Sequence, residues 1–142
     1  RRMIEPPAAA VAALRAEPAD IEVMDLAYAA MEAADQTSDG AIDADLCFHR
    51  SILAGTHNEL LMQMGGIIGV GLLVSFRIAS ESYGVSLLEH RYVLDAIRAR
   101  QPDQASQAME KLLANTRRFL EGELASPSSP STSARADVVF GN

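Results

Sequence analysis

An all-α antiparallel bundle of about six helices is the fold class this chain predicts, on three observations. No segment alternates apolar and polar residues convincingly with period two, so strands find no support. Apolar residues instead recur at helical spacing, separated by Pro, Gly, Asn and Ser at intervals that suit helical hairpins. Ala and Leu are abundant, aromatics make up only 5% of the residues and Trp is absent, which suits a mainly aliphatic helical core.

The elements follow in order. Residues 1 to about 16 are Ala-rich and helical, with Pro6-Pro7 expected to kink the helix or restart it. Pro18 suits a first helical turn, and the segment to about Ala34 sets Ile21, Met24, Tyr28 and Met31 along one stripe. Ser38-Asp39-Gly40 breaks the pattern. A third helix, about Ala41 to Ala54, carries Leu46, Phe48, Ile52 and Leu53. Thr56-His57-Asn58 ends it, and Asn58 is a suitable cap for the next. That fourth helix is expected to be long, about Glu59 to Glu81, apolar and glycine-rich. The fifth runs from about Val85 to Ala99 with Leu88, Val93, Leu94 and Ile97 mostly inward. After Gln101-Pro102-Asp103 comes a sixth, to about Leu124, with Ala108, Met109, Leu112, Leu113 and Phe119 inward. Residues 126–142 are Ser- and Pro-rich at their start, too polar to fold independently, and read as a flexible tail.

At 142 residues the chain is one domain's worth, long enough to bury a core. A formal charge of -7 disfavours contact with phosphate backbones, so the chain alone is not expected to bind nucleic acid. Its one cysteine, Cys47, rules out an internal disulfide and suits a cytoplasmic, reducing setting. The longest apolar run, Gly65 to Phe76, is too short to span a bilayer. A buried helix or a subunit interface accounts for it, and membrane association is not expected.

The strongest chemical signal is Asp45 and His49 in Asp-Leu-Cys-Phe-His. Four residues apart on a helix, they stand on one face, one turn apart, and can reach a common cation. His90, on a later helix, supplies a second imidazole. Two imidazoles and a carboxylate form a plausible ligand set for a divalent transition metal. Taken alone, an Asp-x3-His pair is more often a hydrogen-bonded pair on a helix surface, and a single His90 more often a packed residue. Cys47, two residues from each member of the pair, points to a different face and reads as buried packing. His57 reads as a turn residue.

Together these residues resemble the C-terminal domain of FadR-type regulators in the GntR superfamily. Arg2-Met3-Ile4-Glu5-Pro6 is similar to that domain's opening helix, and Phe48-His49-x2-Ile52 followed by Asn58-x2-Leu61 to its central helix and turn. Glu89-His90-x2-Val93-Leu94-Asp95-Ala96-Ile97 with Pro102-Asp103-x-Ala105 resembles its most recognisable run. The resemblance covers about residues 1 to 124. It implies an effector-binding and dimerisation domain over residues 1–125 of a bacterial transcription regulator, not an enzyme. A winged-helix DNA-binding domain is expected upstream of residue 1, and DNA would be contacted only through it.

By the same resemblance, Asp45, His49 and His90 match three of four ligands to a divalent metal, with zinc or nickel favoured. Leu112 stands where the template has its last histidine, and Asn115, close to one turn on, offers only an amide oxygen. Three protein ligands leave room for water or an effector carboxylate. The effector is expected to be a small organic acid, with sugar acids among the candidates, met by Arg2 of the opening helix and by Arg77, with Ser75 and Ser80 as minor hydroxyl donors. A surface ion pair, Arg2 with Glu5 or Arg77 with Glu81, is the competing reading. Gly65, Gly66, Gly69 and Gly71 admit close helix approach, for dimerisation, cavity lining or plain core packing. Two alternatives stay open: a mononuclear non-haem metal enzyme, which the two-histidine, one-carboxylate set can support, and a metal-free helical dimerisation module.

Overall fold

A computed structural model describes residues 1–34, 39–71 and 86–125, with side chains throughout except at 39, 119–120 and 122–125. The described residues form an all-α bundle: α1 (Glu5–Arg15), α2 (Pro18–Ala33), α3 (Asp39–Ala54), α4 (Glu59–Gln63), α5 (Leu87–Arg98) and α6 (Pro102–Ala125). A further helical stretch, 65–71, runs to the edge of what is described. The expectations for Arg77, Ser75, Ser80, Glu81, Phe119 and the tail fall outside the described residues.

Pro6 and Pro7 do not kink the first helix; they open it. Both lie in the first turn of α1, where a missing N–H has no partner to lose. The next helix starts on a reciprocal cap, with Glu17 N–H donating to Asp20 Oδ2 at 2.8 Å. At α4 the Asn58 carboxamide oxygen accepts from the N–H groups of Leu60 and Leu61, at 3.0 and 3.4 Å. The expected long fourth helix is interrupted. Met64 ends α4 with its N–H on the Leu61 carbonyl, and helix resumes at residue 65, the first of two consecutive glycines. Arg100 takes a left-handed φ of 58°, and Gln101 N–H returns to the Ala96 carbonyl at 3.0 Å, so α5 stops abruptly and Pro102 starts α6.

Helix α1 packs most extensively on α6, α2 on α3, and α5 on α6. The close approach of α1 comes from its small buried stripe of Ala9, Ala12 and Ala13, continued by Ala16 just past its end. The main core adds Met24, Tyr28 and Met31 from α2, Phe48 and Ile52 from α3, Val93, Leu94 and Ile97 from α5, and Met109, Leu112 and Leu113 from α6. Each such large side chain contributes about 1.5–3 kcal/mol on burial. A smaller cluster joins Ala8, Leu53 and Ile68. Leu88 departs from the expectation and is exposed, because the buried face of α5 carries His90, Val93, Leu94 and Ile97, and Leu88 projects off it. Among the described residues, no helix is long and apolar enough to cross a membrane.

Candidate metal centre

Asp45 and His49 stand one turn apart on the buried face of α3, and His90 faces them from the first turn of α5. The three offer ligand atoms that all lie within 4.8 Å of one another. His90 Nε2 is 2.7 Å and His49 Nε2 3.7 Å from the same oxygen, Asp45 Oδ1. All three side chains are almost fully enclosed. Phe48 presses edge-on against both imidazoles, with ring centroids 5.9 and 5.3 Å away, and so fixes their planes.

The outer nitrogen of each ring is anchored. His90 Nδ1 lies 2.7 Å from the carbonyl of Ser86, the residue that caps α5. A carbonyl only accepts, so Nδ1 carries the proton, and in the neutral ring Nε2 turns a lone pair toward a carboxylate oxygen. His49 Nδ1 lies 2.5 Å from Oε2 of Glu5, which is itself buried at the start of α1. Although close, this oxygen does not form a well-made hydrogen bond with His49 Nδ1, and His90 Nε2, an acceptor facing an acceptor in Asp45, has no hydrogen-bond partner either. Imidazoles held from behind by a carboxylate and a carbonyl, with Nε2 atoms converging on a second carboxylate, have the outer-ligand arrangement of metal-binding histidines. A small cation between Asp45, His49 and His90 would satisfy the facing acceptors. The residues fit a divalent metal.

Burial pushes the Glu5 carboxyl upward, but His49 and Arg1 outweigh it and hold its pKa well below the usual range. Asp45 is likewise raised by burial yet held low overall by His49, His90 and Arg1. With neutral imidazoles the cluster counts two carboxylates against one guanidinium. The balance is negative and favours a cation.

Glu5 and Arg1 are the residues the sequence reading missed. Arg1 Nε donates to Glu5 Oε1 at 2.6 Å, and Arg1 Nη2 lies 3.1 Å from His49 Nε2. The partner of Glu5 is thus Arg1, four residues back, while Arg2 is exposed. One signal was available: Glu5 begins the stripe that continues through Ala8, Ala9, Ala12 and Ala13, and a carboxylate on a buried stripe needs a partner. Arg1 and Arg2 also line a pocket of about 460 Å³ with Arg117, over an apolar wall that includes Ile4 and Leu113.

Other expectations resolve plainly. Cys47 is exposed rather than packed, because two residues turn a helix by about 200° and put it opposite the Asp45–His49 face. Leu112 is buried in the core. Asn115 is engaged elsewhere, with its amide nitrogen on Glu89 and its oxygen on Arg118. His57 pairs with Asp20 at 2.7 Å in a turn where it has a φ of 50°. Gly65 and Gly69 admit close neighbours, since a Cβ there would come within 3.3 Å of Arg50 Cγ and 3.2 Å of Leu46 Cδ1, whereas Gly66 has open space beside it.

The profile described as "FCD domain" matches residues 1–115. The chain is also similar to a galactonate operon transcriptional repressor of Escherichia coli (strain K12), with 30% identity over 125 residues. That alignment takes in 85% of this chain and 55% of the repressor, so the chain spans about half the length of the curated relative it matches.

Proposed function

The chain belongs to the FCD domain family, and from that premise we propose that it is the effector-sensing, dimerising part of a GntR-type transcriptional regulator. Both comparisons point to regulation rather than catalysis. In this reading DNA is bound by a winged-helix domain upstream of residue 1, and a small organic acid in the helical domain alters the geometry of the dimer. Because the relative's name concerns galactonate, sugar acids are the first compounds to test.

The observation that carries the reading is the buried convergence of Asp45, His49 and His90, in which His90 Nε2 has no hydrogen-bond partner. These three would hold a divalent metal, zinc or nickel. Bound there, the metal supplies fixed positive charge for the carboxylate and hydroxyl oxygens of an effector. Asp45 neutralises part of the metal's charge, while Glu5 and the Ser86 carbonyl keep each imidazole turned with Nε2 inward. Arg2, lining the neighbouring pocket, and Arg77 are the proposed contacts for the effector carboxylate. The ligand acts only as far as it prefers one packing of the helices over another.

Calorimetric titration of zinc into chelator-stripped protein, beside His49→Ala, tests the site. Tight one-to-one binding that the variant loses is expected. Failure of the unmodified protein to bind zinc would retire the metal and leave a metal-free cavity around the arginines.

A further inference from the structure

Arg1 stands where a metal would need room. A guanidinium can only donate, so at 3.1 Å from His49 Nε2 it occupies the lone pair that coordination would use. The same side chain is held by Glu5 at 2.6 Å and is mostly buried, which gives it a defined position. Glu5 ties the two ends together, with one carboxylate oxygen on Arg1 and the other against His49 Nδ1. The cluster therefore already contains a cation, covalently attached to the chain, on one of the three proposed ligands.

From this we propose that Arg1 is a built-in competitor for the metal. It holds His49 Nε2 while the cation is away and must leave that nitrogen when the cation enters. This inference rests on the metal reading above. Two effects make the states exclusive. A single lone pair cannot accept a hydrogen bond and ligate at the same time, and a guanidinium next to a divalent ion is repelled strongly at a site shielded from water. The displaced group has somewhere to go, because Arg1 already lines the 460 Å³ pocket beside Arg2 and Arg117. Metal loading would thus release a guanidinium from the centre, and anything that holds Arg1 away from His49 would tighten the metal by the same factor that the metal favours its release.

The test uses zinc alone. Arg1→Gln removes the competing charge, and its zinc affinity is expected to rise by about tenfold, the equivalent of about 1.4 kcal/mol. In the unmodified protein, long-range proton–nitrogen NMR of the imidazoles follows the exchange directly, whatever the stability of the variant. Zinc is expected to move the Nε2 signals of both His49 and His90 to metal-bound positions. Equal or weaker zinc binding by Arg1→Gln overturns the proposal while leaving the metal site standing. So does a zinc-loaded protein in which only the His90 signal moves, since Arg1 would then have kept His49. Binding by the variant alone would show Arg1 to be the stronger occupant and supports the proposal. Binding by neither overturns it together with the metal reading.

Discussion

Glu5 illustrates how one residue's role depends on partners that lie far away in the chain. In sequence it is an acidic residue in a first helical turn, where it complements the helix dipole. In the fold it is enclosed against His49, forty-four positions on, and Arg1 makes its burial tolerable. Asp45 and His49 were legible because their spacing of four is a local, helical fact. His90 joined them through the chemistry of the ligand set and through resemblance, since no local rule ties α5 to α3. Cys47 was misjudged although the same periodicity that pairs Asp45 with His49 turns it outward. The two buried carboxyls carry a prediction. Both have pKa values held below their ordinary range, so the unfolded chain takes up protons first as acid is added. Their contribution to stability is complete above about pH 5 and is lost progressively as pH falls below about 4. The melting temperature of chelator-stripped protein should hold between about pH 7 and 5 and then drop steadily toward pH 3. A melting temperature unchanged down to pH 3 would contradict the paired geometry.

Whole elements were easier to read than their ends. The Pro18, Asn58 and Pro102 signals mark real starts because capping and proline chemistry act within a single turn. Pro6-Pro7 was open to two readings, since proline opens helices and also bends them, and only the position of residue 5 as the first helical residue decides between these. The break at Met64 was hidden in an apolar run, where Gly65-Gly66 is compatible with either continuation or interruption. Leu88 was assigned inward on apolarity alone, although polar His90 takes the buried place beside it. What no local pattern announced is the depth at which α1 is set. Ala9, Ala12, Ala13 and Ala16 are buried with almost no exposure, and this smallness lets the backbone come close enough for Glu5 to reach His49. Ala12→Leu forces three methylene-sized increments into a filled space and should cost about 1–3 kcal/mol. Urea unfolding should show the midpoint lowered at unchanged slope. Undiminished stability would mean that α1 packs more loosely than its burial indicates.

For the molecule as a whole, the proposed sensing role would need packing in one protomer to be felt by another, so a surface joining two copies would be part of that mechanism. On the helix over residues 65–71, Ile67 and Val70 are 67% and 63% exposed, and Leu60 on α4 is 78% exposed. Large apolar side chains scattered singly need no explanation, but Ile67 and Val70 are three residues apart on one helical face. Beside them Gly66 leaves open space where a Cβ would stand, which suits the approach of a second helix. The opposite face of the same stretch is engaged internally, through Ile68 in the smaller core cluster and Gly69 against Leu46. A substitution at Ile67 therefore acts on the outer surface without entering the core. Ile67→Asp places a charge where an apolar contact between copies is proposed, and burying an unpaired carboxylate is strongly unfavourable. Sedimentation at micromolar concentration should show the unmodified protein as a dimer and the variant as a monomer. Helical content and zinc affinity should stay the same in both, because neither α3 nor α5 carries the change. A variant that remains dimeric would move the interface off this face, and one that loses zinc along with dimerisation would show that the metal centre and the joint between copies are coupled.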